Sequence, residues 1–265
     1  MELGLGGRGC IVTGASSGIG LAAARGLCAE GARVLLVARR ADPLADAVAL
    51  CAQARGTADG LALDVTRPDA GERAVEGAME RFGRLDVLVN NAGTSSVRPL
   101  AELTDADWQQ QWELNVMASL RLMRSAVPLM AARGFGRVVN VTSSSGKRPS
   151  QTNPAYSVTK AAQLSLSRVW ADAHARDGVL VNAVAPGPVE TPLWMAEGGL
   201  ADQSARAAGV SRDEVLKGAR DRVPLGRYGT VEEIAAVIVF LCSEAAGNVT
   251  GAAWSVDGGT VPIIL

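Results

Sequence analysis

Cys10-Ile11-Val12-Thr13-Gly14-Ala15-Ser16-Ser17-Gly18-Ile19-Gly20, followed by Leu21-Ala22-Ala23-Ala24, is the stretch on which the fold turns. A short β-prone apolar run leads into a glycine turn and then a helix-forming segment, the context that a dinucleotide-binding turn requires. Gly14 permits the tight turn, Gly18 lets backbone amides approach a pyrophosphate, and Gly20 lets the helix pack close to the strand. The helix N-terminus would face the phosphate charge. Taken alone, the same residues also read as an ordinary glycine-rich strand-to-helix turn.

Outward from this turn, short apolar runs alternate with longer helical patterns. They are Val34-Leu35-Leu36-Val37, Leu61-Ala62-Leu63, Val87-Leu88-Val89, Val138-Val139-Asn140-Val141, Val179-Leu180-Val181 and Ala253-Trp254-Ser255-Val256. Continuous apolar runs mark strands covered on both faces. With the first strand they predict an α/β fold: a Rossmann-like, doubly wound, seven-stranded parallel sheet with helices on both faces. Thr104, Ser211 and Thr230 each precede an acid three residues on, which marks helix starts, and Gly83 and Gly178 sit where helix ends are expected. The stretch from about residue 190 to 229 has no strand and one helix near Arg212 to Arg222. We read residues 1–265 as one domain with an embedded lid at about 190–229.

The net charge of −1 leaves no electrostatic footprint for nucleic acid and no polybasic membrane patch, so a small molecule is the expected partner. Cys10, Cys28, Cys51 and Cys242 lack C-x-x-C spacing and read as reduced packing residues. Met1-Glu2-Leu3-Gly4 opens without a basic and apolar leader, and no run is long enough to span a bilayer. A cytoplasmic protein is expected. The sequons at Asn140 and Asn248 read as chance. No metal-ligand cluster is expected.

Tyr156-Ser157-Val158-Thr159-Lys160 follows Asn153-Pro154, so a helix starting near Pro154 puts Tyr156 and Lys160 on one face at i, i+4. A neighbouring ammonium would draw a phenol down from its ordinary pKa of about 10 toward acid/base use. In isolation such a pair is an ordinary surface contact. Ser143 ends the fifth strand at the sheet edge where ligands bind in open α/β folds, and its hydroxyl could stabilise a developing oxyanion. Ser144 and Ser145 follow it, leaving the register open by one residue.

The TGASSGIG turn, Asn90-Asn91-Ala92-Gly93, the Ser143/Tyr156/Lys160 set, Pro186-Gly187 and Val256-Asp257-Gly258-Gly259 stand in this order over about residues 5–260. Together they resemble the short-chain dehydrogenase/reductase family, with an overall likeness to its 3-oxoacyl-(acyl carrier protein) reductases. The resemblance implies an oxidoreductase that interconverts a ketone and a secondary alcohol by hydride transfer, with Tyr156 as acid/base, Lys160 as activator and ribose contact, Ser143 positioning the carbonyl and Asn115 holding a relay water. For Asn115 a buried amide at a helix bend is the alternative. Cofactor contacts are implied at Gly14, Ser16, Ser17, Gly18, Ile19, Gly20, Asn91, Ala92 and Gly93, and again at Tyr156, Lys160, Pro186, Gly187, Val189 and Thr191. A plain helix cap is the other reading of Thr191.

Cofactor choice rests on Val37-Ala38-Arg39-Arg40. By resemblance, Ala38 stands where NAD-preferring members carry Asp, and Arg39, with Arg40, offers a planar donor fork to a 2′-phosphate. NADP(H) is expected ahead of NAD(H), although Ser17 stands where many NADP enzymes of the family carry Lys or Arg, and a solvated strand end is the competing reading. Asp64-Val65 resembles the adenine-contacting pair, with a helix cap before Pro68 as the alternative.

Trp194, Met195, Gly198, Gly199 and Leu200 suggest an apolar lid over a hydrophobic or 3-oxoacyl-type substrate. Asp177 counts against an acidic carrier protein. Arg98, Lys147 and Arg148 are placed at the cleft mouth. His174 reads as a surface or capping residue. The helix from Glu232 to Cys242, the strand around Ala253 and the tail Val261-Pro262-Ile263-Ile264-Leu265 resemble family oligomer contacts and imply a homotetramer. A catalytically silent NADP(H) sensor or scaffold is the rival class, opposed by the intact Asn115/Ser143/Tyr156/Lys160 set.

Overall fold

The computed structural model describes residues 2–262. In chain order its elements begin β1 (Gly9–Thr13), α1 (Gly18–Ala29), β2 (Arg33–Ala38), α2 (Ala41–Cys51), β3 (Thr57–Ala62), α3 (Ala70–Phe82) and β4 (Val87–Asn90). They continue through α4 (Asp105–Trp112), a π-helical turn (Glu113–Met117), α5 (Ala118–Ala131), β5 (Gly136–Val141), α6 (Ser144–Lys147), α7 (Pro154–His174) and β6 (Val179–Pro186). The last are α8 (Pro192–Met195), α9 (Leu200–Ala208), α10 (Arg212–Asp221), α11 (Val231–Cys242) and β7 (Ala253–Val256). The sheet has seven strands in the order β3-β2-β1-β4-β5-β6-β7, every pair parallel.

The period of two along a strand divides the apolar runs between two layers. Cys10, Val12, Val34 and Leu36 pack with α1, α2 and α11 on one face. Ile11, Leu35, Val37 and Leu88 pack with α3 and α5 on the other. The crossover from β1–β2–β3 to β4–β5–β6 places a switch point between β1 and β4, and ligands bind in such crevices at the carboxyl ends of the strands.

All three expected helix starts carry reciprocal capping boxes: Thr104 with Asp107, Ser211 with Glu214, Thr230 with Glu233. Gly83 and Gly178 take left-handed φ values of 69° and 78° at helix ends. Two expectations need correction. The third strand begins at Thr57, not Leu61, because Asp59 and Gly60 sit on a half-buried edge strand that needs little apolar signal. Residues 190–229 hold α8 and α9 as well as the expected α10. Leu200, Ala201 and Ala205 form a buried stripe on α9, whose first residue is preceded by a glycine with no capping side chain. The base of this excursion is pinned by a bridge between Val189 and Gly229. The tail residues 263–265, assigned to oligomer contacts, lie outside the described residues.

Asp86, 1% exposed, anchors the amino ends of β1 and β4. It accepts from Gly9 N at 2.8 Å, Arg84 Nε at 2.6 Å and Arg8 Nη1 at 3.4 Å. Burial alone would push the carboxyl up, but the Arg84 and Gly9 hydrogen bonds and the Arg8 charge hold it below the ordinary value. Its stabilising contribution is therefore present above the unfolded pKa of about 3.9 and lost as pH falls through the lower folded value. Asp86→Asn is expected to cost about 3 kcal/mol in urea denaturation at neutral pH, and the gap between the two proteins should close below about pH 4.

Candidate active site

The glycine turn is built by contact with the loop after β4. Gly14 has φ +64°, and a Cβ there would stand 2.9 Å from the Ala92 Cα. A Cβ on Gly20 would meet the Gly14 carbonyl at 2.5 Å and the Asn91 amide, so only glycine lets α1 lie this close to β1. Asn91 Nδ2 donates to the Thr13 and Gly14 carbonyls at 2.9 and 3.2 Å. Thr13 Oγ1 accepts from Asn91 N and Ala92 N at 3.0 and 3.1 Å. Thr13 is the stitching residue that sequence reading missed. Asn90 turns the other way and donates to Asn140 at 2.8 Å, tying β4 to β5. Asn140 is fully buried, so its sequon is structural coincidence.

Gly18 has φ +56°, a Cβ there would stand 3.6 Å from the Thr191 methyl, and both residues line one cavity of about 300 Å³. Ser17 caps α1 by position without a side-chain bond, which leaves the first amides of a 12-residue helix free for an anion. The cavity runs from Gly14, Ser17, Gly18 and Ile19 past Asn91, Ala92 and Gly93 to Ser143, Tyr156 and Lys160. Pro186, Gly187, Val189 and Thr191 form its far wall, with Leu193, Trp194 and Leu200 above. Ser16, Gly20, Asn115 and the pairs Arg39–Arg40 and Asp64–Val65 lie outside that wall. Thr191 makes no side-chain cap bond to α8, leaving its hydroxyl uncommitted to the helix.

At the adenine end expected from sequence, Ala38 closes β2 and Arg39 and Arg40 are exposed. Neither arginine has an ion pair among the described residues. Asp64 is no helix cap, because α3 starts at Ala70 behind Asp69. Its Oδ1 accepts from Thr66 N and Oγ1 at 2.9 and 2.7 Å. The Thr66 amide and hydroxyl, with the Arg39 and Arg67 charges beyond, hold its carboxyl below the usual range against partial burial.

Pro154 opens α7, placing Tyr156 and Lys160 one turn apart on the cavity side. Lys160, 2% exposed, donates to the Val141 carbonyl at 2.8 Å and to Gln163 Oε1 at 2.9 Å. Its Nζ lies 5.6 Å from the Tyr156 ring centre. Ser143 caps α6, accepting from Ser145 N at 3.1 Å, and it lines the cavity together with Ser144, Ser145 and Tyr156. Burial pushes the phenol up to about 12, with Ser143 pulling it down. Burial pulls Lys160 down to about 7. The expected lowering of Tyr156 by Lys160 is thus not seen here. Desolvation dominates both groups, and the lysine spends its donors on two carbonyl oxygens.

Asn115 is fully buried in the π-helical turn. Its Nδ2 donates to Gln111 Oε1 at 2.9 Å and Thr159 Oγ1 at 3.2 Å, and its Oδ1 has no partner. A Cβ at Gly93 would sit 3.0 Å from this oxygen and 3.5 Å from Lys160 Nζ, so both atoms border the same small space. An orphaned buried acceptor there suits a bound water.

Comparisons with known proteins place the chain among relatives of the same fold. Residues 14–261 match the family model described as Enoyl-(Acyl carrier protein) reductase. The L-sorbose reductase of Gluconobacter frateurii, solved with NADPH and L-sorbose, superposes with a TM-score of 0.92 at 39% identity over 100% of both chains. The chain belongs to the short-chain dehydrogenase/reductase family. Among other members, the 3-oxoacyl-[acyl-carrier-protein] reductase FabG of Thermotoga maritima is 36% identical over 257 residues, 96% of this chain and 98% of its own. An actinorhodin polyketide ketoreductase solved with NADPH has a TM-score of 0.91 at 36% identity, covering 97% of this chain and 98% of its own.

As a short-chain dehydrogenase/reductase, the protein is an oxidoreductase. Other sequence expectations change in detail. Arg98 pairs with Asp107 at 2.6 Å, and Lys147 donates to the Ala253 carbonyl and Ser255 hydroxyl at 2.6 and 2.9 Å. Neither lines the main cavity, so neither serves as a free charge at its mouth. Met195, Gly198 and Gly199 likewise stand off the cavity wall, which takes Trp194 and Leu200. His174 stacks on Trp170 and bonds Asp177 at 3.0 Å on the surface. The four cysteines are buried and free. No metal-holding cluster occurs among the described residues, and none of their helices is long and apolar enough to cross a membrane.

Proposed function

We propose that this short-chain dehydrogenase/reductase interconverts a ketone and a secondary alcohol with NADP(H). The observation that carries the reading is the convergence of Ser143, Tyr156 and the buried Lys160 on one cavity wall. The residues present fit the cofactor: the cradle of Gly14, Gly18 and Gly20 admits a backbone approach that any Cβ would narrow, and uncapped α1 amides point to an anion. Gly14, Ser16, Ser17, Gly18, Ile19 and Gly20 would hold the pyrophosphate, Asp64 and Val65 the adenine, and Arg39 with Arg40 the 2′-phosphate. Asn91, Ala92, Gly93, Pro186, Gly187, Val189 and Thr191 would flank the nicotinamide half. When bound, the cofactor supplies or accepts the hydride.

The chain's own residues manage the proton. Ser143 orients the carbonyl and bears part of the developing oxyanion charge. Tyr156 gives its phenolic proton to that oxygen, and a phenol held up to about 12 by burial stays protonated at neutral pH for this task. Lys160 steadies the phenolate that results and passes a proton back through the space bordered by Asn115 Oδ1. In the direction of alcohol oxidation the same groups run in reverse.

Leu193, Trp194 and Leu200 give the substrate end an apolar cover, supporting a hydrophobic or 3-oxoacyl-type ketone. We read residues 190–229, hinged on the Val189–Gly229 bridge, as a lid within one domain. We assign the protein to the cytoplasm and to a homotetramer built on the outer side of α11 and the exposed edge strand β7, where Phe240 and Trp254 rings lie 5.7 Å apart. A panel of apolar ketones and 3-oxoacyl thioesters, followed by loss of NADPH absorbance, tests the activity. Saturable NADPH binding without turnover of any panel member would overturn it in favour of a cofactor sensor.

A further inference from the structure

Gln163 is fully buried one turn beyond Lys160 on α7 and belongs to no motif noted in the sequence. Its Oε1 accepts from Lys160 Nζ at 2.9 Å, and its Nε2 donates to Ser119 Oγ at 2.8 Å. Ser119 in turn donates to the Asn115 backbone carbonyl at 3.4 Å, at the π-helical turn. The direction of this chain is forced. A carbonyl can only accept, so Ser119 must donate to it and must receive from the amide NH₂, which leaves the Gln163 carbonyl facing the lysine. The same polarity would be impossible with any apolar side chain at 163.

We propose that Gln163 is the positioning residue for Lys160, fixing which of its ammonium sites exchanges a proton with the cavity. This rests on the reading of Lys160 as the proton relay. Two of the Nζ donors are held by the Val141 and Gln163 carbonyls. A charged lysine then has one N–H left, and a neutral lysine has only its lone pair left. In both states the uncommitted position is the same one, at the space shared with Gly93 and Asn115 Oδ1. Gln163 thereby links the lysine to the helix turn that carries Asn115, and the two relay groups move as one unit.

Among the described residues no charged side chain hydrogen-bonds Lys160. On α7, Tyr156 is the neighbour already described, and Arg168 pairs with Asp172. On the π-helical turn and α5, Glu113 and Arg121 pair with each other. On β5, Arg137 turns to the Ser243 carbonyl, and on α6 Lys147 turns to β7. The acceptors of Lys160 are neutral carbonyls, so removing one or charging it has opposite and predictable effects.

The test is ¹³Cε NMR titration of lysine-labelled protein without cofactor, in which only Lys147, Lys160 and Lys217 contribute, alongside the pH profile of kcat/KM for ketone reduction. Gln163→Leu removes an acceptor from the ammonium and should lower the Lys160 midpoint by about one pH unit. Gln163→Glu places a carboxylate there and should raise it by at least as much. The alkaline fall in reductive kcat/KM should move in the same two directions, mainly in kcat, with KM little changed. Should Gln163→Leu fail to melt cooperatively, Gln163→Met provides the same loss of acceptor. Midpoints that stay put in both variants, or that shift the same way, would overturn the proposal. Absence of ketone turnover in the unmutated protein would instead sink the functional reading, and the NMR arm would still decide the role of Gln163.

Discussion

Tyr156→Phe is expected to lower kcat for ketone reduction by about 10²–10⁴-fold while leaving NADPH affinity within a few fold. The substitution removes one oxygen and keeps the ring against the cavity wall, so packing is conserved. What disappears is the only phenolic proton that Ser143 helps to aim at a substrate oxygen. The glycine cradle, the α1 amides and Arg39 are untouched, which is why binding should survive. Steady-state kinetics with quenching of protein fluorescence by NADPH separates the two quantities. A variant that keeps near-normal kcat would show that another group delivers the proton.

Arg39→Asp should reverse cofactor preference, with kcat/KM for NADPH falling about 10²-fold and that for NADH rising about tenfold. Arg39 is exposed and has no ion pair among the described residues, so its loss leaves no orphaned acid behind. A carboxylate at the end of β2 would repel a 2′-phosphate and accept from a free 2′-hydroxyl. Asp64 is already ionised nearby, which deepens the repulsion. The unmutated protein supplies the control. Equal efficiency with NADPH and NADH before mutation would remove Arg39 from the site.

Both predictions stand on residues legible without coordinates, and the reasons are local. A proline two residues before an i, i+4 pair sets a helix face, and a glycine turn between a strand and a helix sets a phosphate cradle. The capping boxes at Thr104, Ser211 and Thr230 are equally short-range, each spanning four residues. Legibility ended where a side chain's role depends on partners far along the chain. Arg98 and Lys147 looked like free charges, yet one is spent on Asp107 and the other on β7. Helix α9 escaped because its stripe of Leu200, Ala201 and Ala205 is short and uncapped, and only contact with the body of the protein makes it worth forming.

By itself, then, the order of apolar runs and glycines determined a parallel sheet with a crevice at its switch point, because strand and helix periods and turn chemistry are properties of neighbouring residues. The protonation of the site was decided only by tertiary structure. Burial sends Tyr156 up and Lys160 down, opposite to what a bare phenol–ammonium pair would suggest. Gln163 reaches Ser119 across 44 positions of sequence to orient the lysine. Desolvation and the direction of a buried hydrogen-bond chain arise from packing α7 against α5 and β5, and no single segment of the chain contains them.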